Sequence, residues 1–362
     1  MNFDFNEILE DVEKGIAGEN KGIPTGFTLT DSYTNAIQDS IYCLVGGGPG
    51  TGKTSYVDLA YVLNPYDWWV NNKDKTDKKI KVIYRSMERN TKYKIAKWTC
   101  LKLHKDYKII IDVPTLFGWQ GKKFEIDQEL KEKIEGCKEY FETMLNSGVV
   151  NIYSGPENPT GIRNQSVKIA LENGKEEQVT EFQKVYKKND KDLHIVQVND
   201  HVGKLKSEVN GGVRLTEKAL LDKHSEYMGI LREFYHFYVV DIVQFNRSIG
   251  SVDRMKVKEV VSPELDDFKG SGNMCENADL VTAIYNPYRH KVFDFLDYNI
   301  NKFISPSGEN RFRSLSIIKN TYGADDIILG LNFLGENGNF REIPTADKFN
   351  EAMYNRAKNY EL

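Results

Sequence analysis

The sequence predicts an α/β protein built on a mostly parallel central sheet with helices on both faces, and a β-rich last third. Three observations predict it. Short, continuously apolar runs recur at 41–45, at 81–85 ("KVIYR"), at 195–198 and within 237–247 ("FYVVDIVQFNR"), too unbroken for strands with one wet face. Amphipathic stretches of helical length separate them, as crossovers between parallel strands require. Towards the C-terminus the helical stretches give way to closely spaced apolar runs and tight turns, which suits antiparallel pairing.

Taken in order, residues 3–16 place Phe5, Ile8, Leu9, Val12 and Ile16 on one helical stripe, closed by Gly15 and Gly18. "ENKGIPTGF" then reads as an extended linker. The first strand, 41–45, leads through a glycine-rich loop into a helix over 53–63. "WWVNNKDKTDKKIK" reads as a solvated, charged loop. A helix running to 103 follows the second strand, and 124–147 is amphipathic, with Phe124, Ile134, Cys137 and Phe141 among its apolar positions. "VKIALENGKEEQVTEF" (167–182) alternates on both sides of Asn173-Gly174 and predicts a hairpin turning there. A helix over 216–234 precedes the run at 237–247. Further strands are expected at 280–285, 313–318 and 327–333, with a tight turn at "ENGNF" (336–340) and a short polar helix after Thr345.

Composition narrows the function classes. Hydrophobic residues at 40% and charged residues at 28% suit a globular chain of 362 residues. The longest apolar stretch, 234–243, is broken by His236 and Asp241, so no membrane-spanning helix is expected. The first fifteen residues lack the basic-then-apolar pattern of a secretory signal. Four scattered cysteines without a C-x-x-C pair point to reduced thiols in a cytoplasm and away from disulfides or a zinc site. The six histidines show no triad or metal spacing. A net charge of −4 neither favours nor excludes nucleic acid, because a local basic lining acts over about a Debye length, ~10 Å.

The strongest signal is "GGPGTGKTS". Gly47, Gly48, Pro49, Gly50, Thr51, Gly52, Lys53 and Thr54 fit G-x-x-x-x-G-K-[ST], directly after a strand and before a helix. Such a loop turns backbone N–H groups and a helix dipole on phosphate oxygens. Lys53 is placed to neutralise the β/γ-phosphates of ATP, Thr54 to hold Mg²⁺, and Ser55 to complete the phosphate site. A second acidic anchor for Mg²⁺ is expected at a strand end, and "HIVQVNDHV" offers Asp200; a helix-capping Asp is the plainer reading. Glu88, in "VIYRSMERN", follows its own strand, where a carboxylate could activate the attacking water or simply favour a helix N-terminus. Gln244, in "VVDIVQFNRS", stands where an amide could sense the γ-phosphate, or where a turn residue is ordinary.

In this order, "GGGPGTGKTS", "VIYRSMERN", "VQVNDHV" and "VVDIVQFNRS" resemble the RecA-fold core of DnaB-type replicative helicases, particularly phage-encoded ones. "GIPTGF" (22–27), "DDFKGSGNMCENADLV" (266–281) and "SLSIIKNTYG" (314–323) are similar to further family stretches, so the likeness runs from about 5 to 343. It implies a P-loop ATPase acting as a ring, expected to be hexameric, that moves along single-stranded DNA in replication, in the bacterial host cytosol if phage-encoded. It places Lys269, Gly270, Ser271 and Gly272 in a DNA-contacting channel loop, with Lys269 where the family usually has Arg. It divides the chain into a linker helix (1–22), an ATPase domain (23–345) and a tail (346–362). The stripe at 3–16 becomes a helix packing on the adjacent subunit, and Lys319 a residue completing the neighbour's ATP site. Two departures stand out. Thr321 occupies the family's arginine-finger position, leaving Lys319, or a nearby Arg such as Arg311 or Arg313, to supply charge. The family's helical N-terminal domain has no counterpart among the few residues before the core, so any primase or loader contact would use other surfaces. Another RecA- or KaiC-like ATPase switch, or a DNA-binding scaffold with slow turnover, is the competing expectation.

Overall fold

A computed structural model describes residues 5–119, 126–246, 249, 262–268, 270 and 272–361. Its main sheet contains β1 (Ile41–Gly47), β2 (Lys79–Ser86), β3 (Val150–Ser154), β4 (Leu193–Asp200), β5 (Tyr238–Gln244), β6 (Leu280–Tyr285), β7 (Phe312–Asn320), β8 (Ile327–Leu334) and β9 (Asn339–Glu342). Their order across the sheet is β9-β8-β7-β6-β1-β5-β4-β2-β3. From β6 to β3 every pairing is parallel; β7, β8 and β9 are added by antiparallel pairing. The expected mixture of a parallel body and a β-rich C-terminal part is therefore what the chain builds. β1 sits in the middle with Tyr42 to Gly47 all buried, so the glycine loop springs from the best-protected strand. Apolar cores lie on both faces, one centred on Tyr56, Trp98 and Tyr84, the other on Tyr42, Met228 and Phe312.

Three helices bear on function. α1 (Phe5–Ala17) forms as the apolar spacing predicts, and it leaves that stripe in solvent, Ile16 at 84% exposure. α2 (Lys53–Asp58) starts at the glycine loop and runs on through a buried π-helical stretch, Leu59–Leu63, into Asn64–Asn72. The charged segment expected as a loop from Trp68 is thus helical as far as Asn72, because Pro65 and Tyr66 bury on the core and carry the helix with them. α3 (Thr91–Tyr107) follows β2 and is started by Asn90, whose side chain accepts from the Tyr93 N–H (2.9 Å).

The hairpin expected at Asn173-Gly174 is wrong. Residues Pro159–Glu172 form a helix, started by Asn158 and Pro159 and stopped at Asn173. The hairpin lies one element later, Gly174–Thr180 against Gln183–Lys188, and turns at Glu181-Phe182. Alternating polarity was misleading because Ile162, Ser166, Ile169 and Ala170 bury on one helical face. This segment also has a structural task. Arg85, fully buried in β2, donates to Glu157 (2.9 and 3.1 Å) and to Ser166 Oγ (3.1 Å), so the segment supplies the counter-ion that a buried guanidinium needs. Among the described residues no helix is long and apolar enough to cross a membrane. The tail packs back through Tyr354 and Ala357, with Tyr354 against Phe303.

Candidate nucleotide-binding site

β1 ends with Gly47 level with Gln244 of β5 and Ile284 of β6. The chain then turns through Gly48, Pro49, Gly50 and Thr51, with Gly50 and Gly52 at φ +66° and +96°, a region open to glycine at little cost. Thr51 Oγ1 donates to Gly48 O (2.9 Å) and Lys53 Nζ reaches the same carbonyl (3.4 Å), so the lysine folds over the loop. α2 begins immediately, presenting the free N–H groups of a helix start. Burial weakens the Lys53 ammonium's hold on its proton, while Asp200 and Glu88 work against that. A phosphate group would compensate the charge.

Thr54 Oγ1 donates to Asp200 Oδ1 (3.1 Å), which brings together the two residues expected to anchor Mg²⁺. Burial raises the Asp200 carboxyl, but the Lys94 charge and hydrogen bonds from Lys94, Tyr84 and Thr54 hold it below its ordinary value. Among the described residues no group of three His, Cys, Asp or Glu could cage a metal. A hydroxyl plus one carboxylate is what Mg²⁺ takes when nucleotide phosphates and waters complete its shell, so the donor set fits. When bound, the ion would neutralise phosphate charge. Glu88 (side chain 47% exposed) and His201 face each other at 3.9 Å. Both line, with Lys53, Thr54, Ser55 and Gln244, a cleft of about 710 Å³, a size usual for small-molecule sites.

Arg289, Asn286 and Lys97 of this cleft escaped sequence reasoning, and Arg313 stands in it in a different relation from the one expected. Arg289 donates to Pro49 O, and Gly50 leaves room for it: a Cβ there would stand 2.8 Å from the guanidinium. Arg313 donates to Thr51 O (3.2 Å), lies over the Phe333 ring and is 6% exposed. Burial first, and then Arg289, push its guanidinium down to about 9. Asn286 Oδ1 is buried in the same cleft without a partner among the described residues. Lys97 donates to Ser55 Oγ (2.7 Å). Arg289 carried no signal, and Arg313 was named only as a possible stand-in for an arginine finger, because only the folded sheet brings residues 289 and 313 back to residue 50.

Lys319 is not in this cleft. Its Nζ donates to the Cys275 and Glu276 carbonyls (3.0 and 2.9 Å), at the far end of the sheet. Arg311 is elsewhere too, held by Glu336 through two bonds (3.0 and 2.9 Å). Of the expected DNA loop, Lys269 and Ser271 lie outside the described residues. Gly270 has φ +79° and Gly272 opens a short helix, Gly272–Asn277. The stem before the loop is fixed: Phe268 bridges Phe245, their rings 5.3 Å apart, and a Cβ on Gly46 of β1 would meet both rings at 2.5–2.6 Å.

No family model and no curated protein matches the sequence. Solved structures do. One, an isolated ATPase domain, superposes with a TM-score of 0.66 at 16% identity, covering 95% of this chain and 100% of that one. A DnaB-like replicative helicase, described with its interactions with primase, gives 0.64 at 15% identity, over 95% and 68%. The chain shares the fold of these two structures. At these identities the likeness concerns the fold, and within it Thr54, Asp200, Glu88 and Gln244 stand at or just beyond the carboxyl ends of parallel strands, where open α/β sheets bind ligands.

Proposed function

We propose that the chain is an ATP-hydrolysing, ring-forming translocase on single-stranded DNA, a replicative helicase of the DnaB type. The observation that carries this reading is the joining of Thr54 to Asp200 beneath a P-loop lysine, with Glu88 across the same cleft. In the proposed cycle Lys53 and the α2 N-terminus hold the phosphates, and Thr54 with Asp200 anchors Mg²⁺. Glu88 orients and deprotonates the attacking water, and Gln244 senses the γ-phosphate. Because Phe245 and Phe268 press on Gly46, a shift at the end of β5 would reach both the P-loop strand and the stem of the 269–271 loop. That is a physical route from hydrolysis to DNA.

Ring formation is proposed through α1. Its exposed apolar stripe is flanked by Glu10, Asp11 and Glu13. A groove of about 410 Å³ lined by Phe27, Trp98 and Phe141, with Lys102, Lys105, Lys108 and Arg341 outnumbering Asp67 and Glu342, offers a net opposite charge and an apolar floor for the α1 of a second copy. Steady-state ATPase with and without single-stranded DNA tests the whole reading, with Lys53→Ala as control. The expected result is strong DNA stimulation that Lys53→Ala abolishes, with Glu88→Gln still binding ATP but losing about 10²-fold or more in turnover. A rate indifferent to DNA would favour the second reading, a slowly hydrolysing switch or scaffold. One observation favours that alternative: Lys319, the remaining cation of the late motif, is engaged by carbonyls of its own chain.

A further inference from the structure

Beneath the proposed Mg²⁺ anchor lies a buried ionic cluster that the proposed cycle does not use. Lys94, on α3, is 2% exposed. Its Nζ donates to Asp200 Oδ2 (2.9 Å), to Asp58 Oδ1 (3.3 Å) and to Tyr84 Oη (2.6 Å). Tyr84 Oη lies 2.7 Å from Asp58 Oδ1 and 2.8 Å from Asp200 Oδ2, and its single proton goes to one of the two. Three ammonium protons and one phenol proton thus serve two carboxylates and one phenol oxygen, and none of these atoms is left without a partner. The arrangement is costly, since two carboxylates share one cation in a dry interior. Helix propensity and core packing do not ask for it.

What it achieves is a division of Asp200. Oδ2 is tied inward by Lys94 and Tyr84, while Oδ1 alone faces Thr54. Asp58, the last residue of α2, hangs on the same ammonium. One turn along α3, Lys97 donates to Ser55. Through these two lysines α3 fastens the helix that follows the P-loop to the strand end carrying Asp200. We propose that Lys94 is a positioning residue that makes Asp200 a one-oxygen anchor, setting the affinity for the divalent metal that accompanies the nucleotide. This rests on the ATPase reading above.

The test is Lys94→Met, and Asp58→Asn combined with Lys94→Met, followed by Mn²⁺ titration of the ADP complex by electron paramagnetic resonance. Fluorescent-nucleotide binding in EDTA is measured alongside. Lys94→Met leaves two carboxylates without their cation and should weaken Mn²⁺ by about 10–100-fold, the scale for groups that orient a metal ligand. Metal-free nucleotide binding should stay within about twofold, because the loop keeps its own bonds at Thr51 and Lys53, and Lys97 still ties α2 at Ser55. The double variant removes one negative charge with the positive one but still lacks the donor that ties Oδ2 inward, so it should stay nearly as weak as the single variant. Should Lys94→Met not fold, Lys94→Gln, which keeps donors but no charge, carries the same expectation. Mn²⁺ affinity unchanged in the folded single variant, or a double variant restored to wild-type affinity by charge balance alone, overturns the proposal while the ATPase reading stands. A wild-type protein that binds no Mn²⁺–nucleotide complex overturns both.

Discussion

The two ends of β7 serve different places. Near its start Arg313 reaches the P-loop of its own chain, donating to Thr51 O. Six residues on, about 20 Å away at roughly 3.3 Å per residue, Lys319 reaches carbonyls at the opposite end of the sheet. The register explains the separation. β7 runs against β6, so that Ser314 pairs with Tyr285 at the nucleotide end and Asn320 with Leu280 at the other. On the proposed reading, a cation near the start of this strand faces the nucleotide of its own chain, and one near the end would meet only a nucleotide that another copy brought to it.

The largest effect that can break this comparison is on Lys319. If it completes a neighbour's site, Lys319→Ala should lower ATPase of the assembled protein by about tenfold or more, short of the roughly three to five orders an arginine finger supplies. ATP binding should be unchanged. Mixing Lys319→Ala with Lys53→Ala is the decisive form. The first retains an intact P-loop and the second an intact Lys319, so mixed assemblies should regain activity that neither parent has. A mixture no better than its parts would confine Lys319 to bracing its own chain.

A smaller effect is expected at the other end. Arg313→Met removes a buried cation that has no carboxylate partner among the described residues and lies in the cleft. It should weaken ATP binding by about tenfold, the scale of a charge-assisted hydrogen bond lost at a buried site. Unlike the Lys319 effect, it should not depend on protein concentration, and a fluorescent-nucleotide titration at several concentrations reads both properties. Unchanged affinity would make Arg313 a brace for Thr51 and nothing more.

These two residues also mark where the sequence stopped being legible. The parallel strands could be read because burial on both faces forces unbroken apolar runs, as at 41–45 and 195–198. Glu88, Asp200 and Gln244 could be singled out because each stands at or just past the end of such a run. Arg313 was reached only as a neighbour of Lys319 that could stand in for an arginine finger; its actual partner, Thr51, lies 262 residues away in sequence and meets it only in the folded sheet. Lys94 was hidden for another reason. A lysine in an amphipathic helix reads as a solvated face, and nothing local announces two aspartates from α2 and β4 converging on it. The hairpin misplaced at Asn173-Gly174 shows the same limit: Asn-Gly ends a helix as readily as it turns a hairpin, and only packing decides.

The smallest prediction asks how firmly the antiparallel edge is fastened, which is what keeps Arg313 and Lys319 pointing apart. The short helix Thr28–Thr34 is the fastener. Glu342 of β9 accepts from the Leu29 and Thr30 N–H groups (2.8 Å each), and Asn320 at the end of β7 donates to Tyr33 O (2.9 Å). Within this helix Asp31 accepts from the Thr25 N–H (3.0 Å) and hydroxyl (2.6 Å). Burial raises its carboxyl to about 6; the Thr25 bonds restrain the rise and the Glu342 charge adds to it. The folded protein therefore holds this proton more tightly than the unfolded chain does. The stability it contributes is complete below the unfolded value near 3.8, is lost as pH rises to about 6, and changes no further above that. Asp31→Asn is neutral throughout. Between pH 4 and pH 7 the Tm of the wild type should fall relative to that of Asp31→Asn by about 2–4 °C. Parallel Tm profiles would mean that Asp31 is hydrated, the Thr28–Thr34 helix loosely held, and the geometry separating the two ends of β7 free to relax.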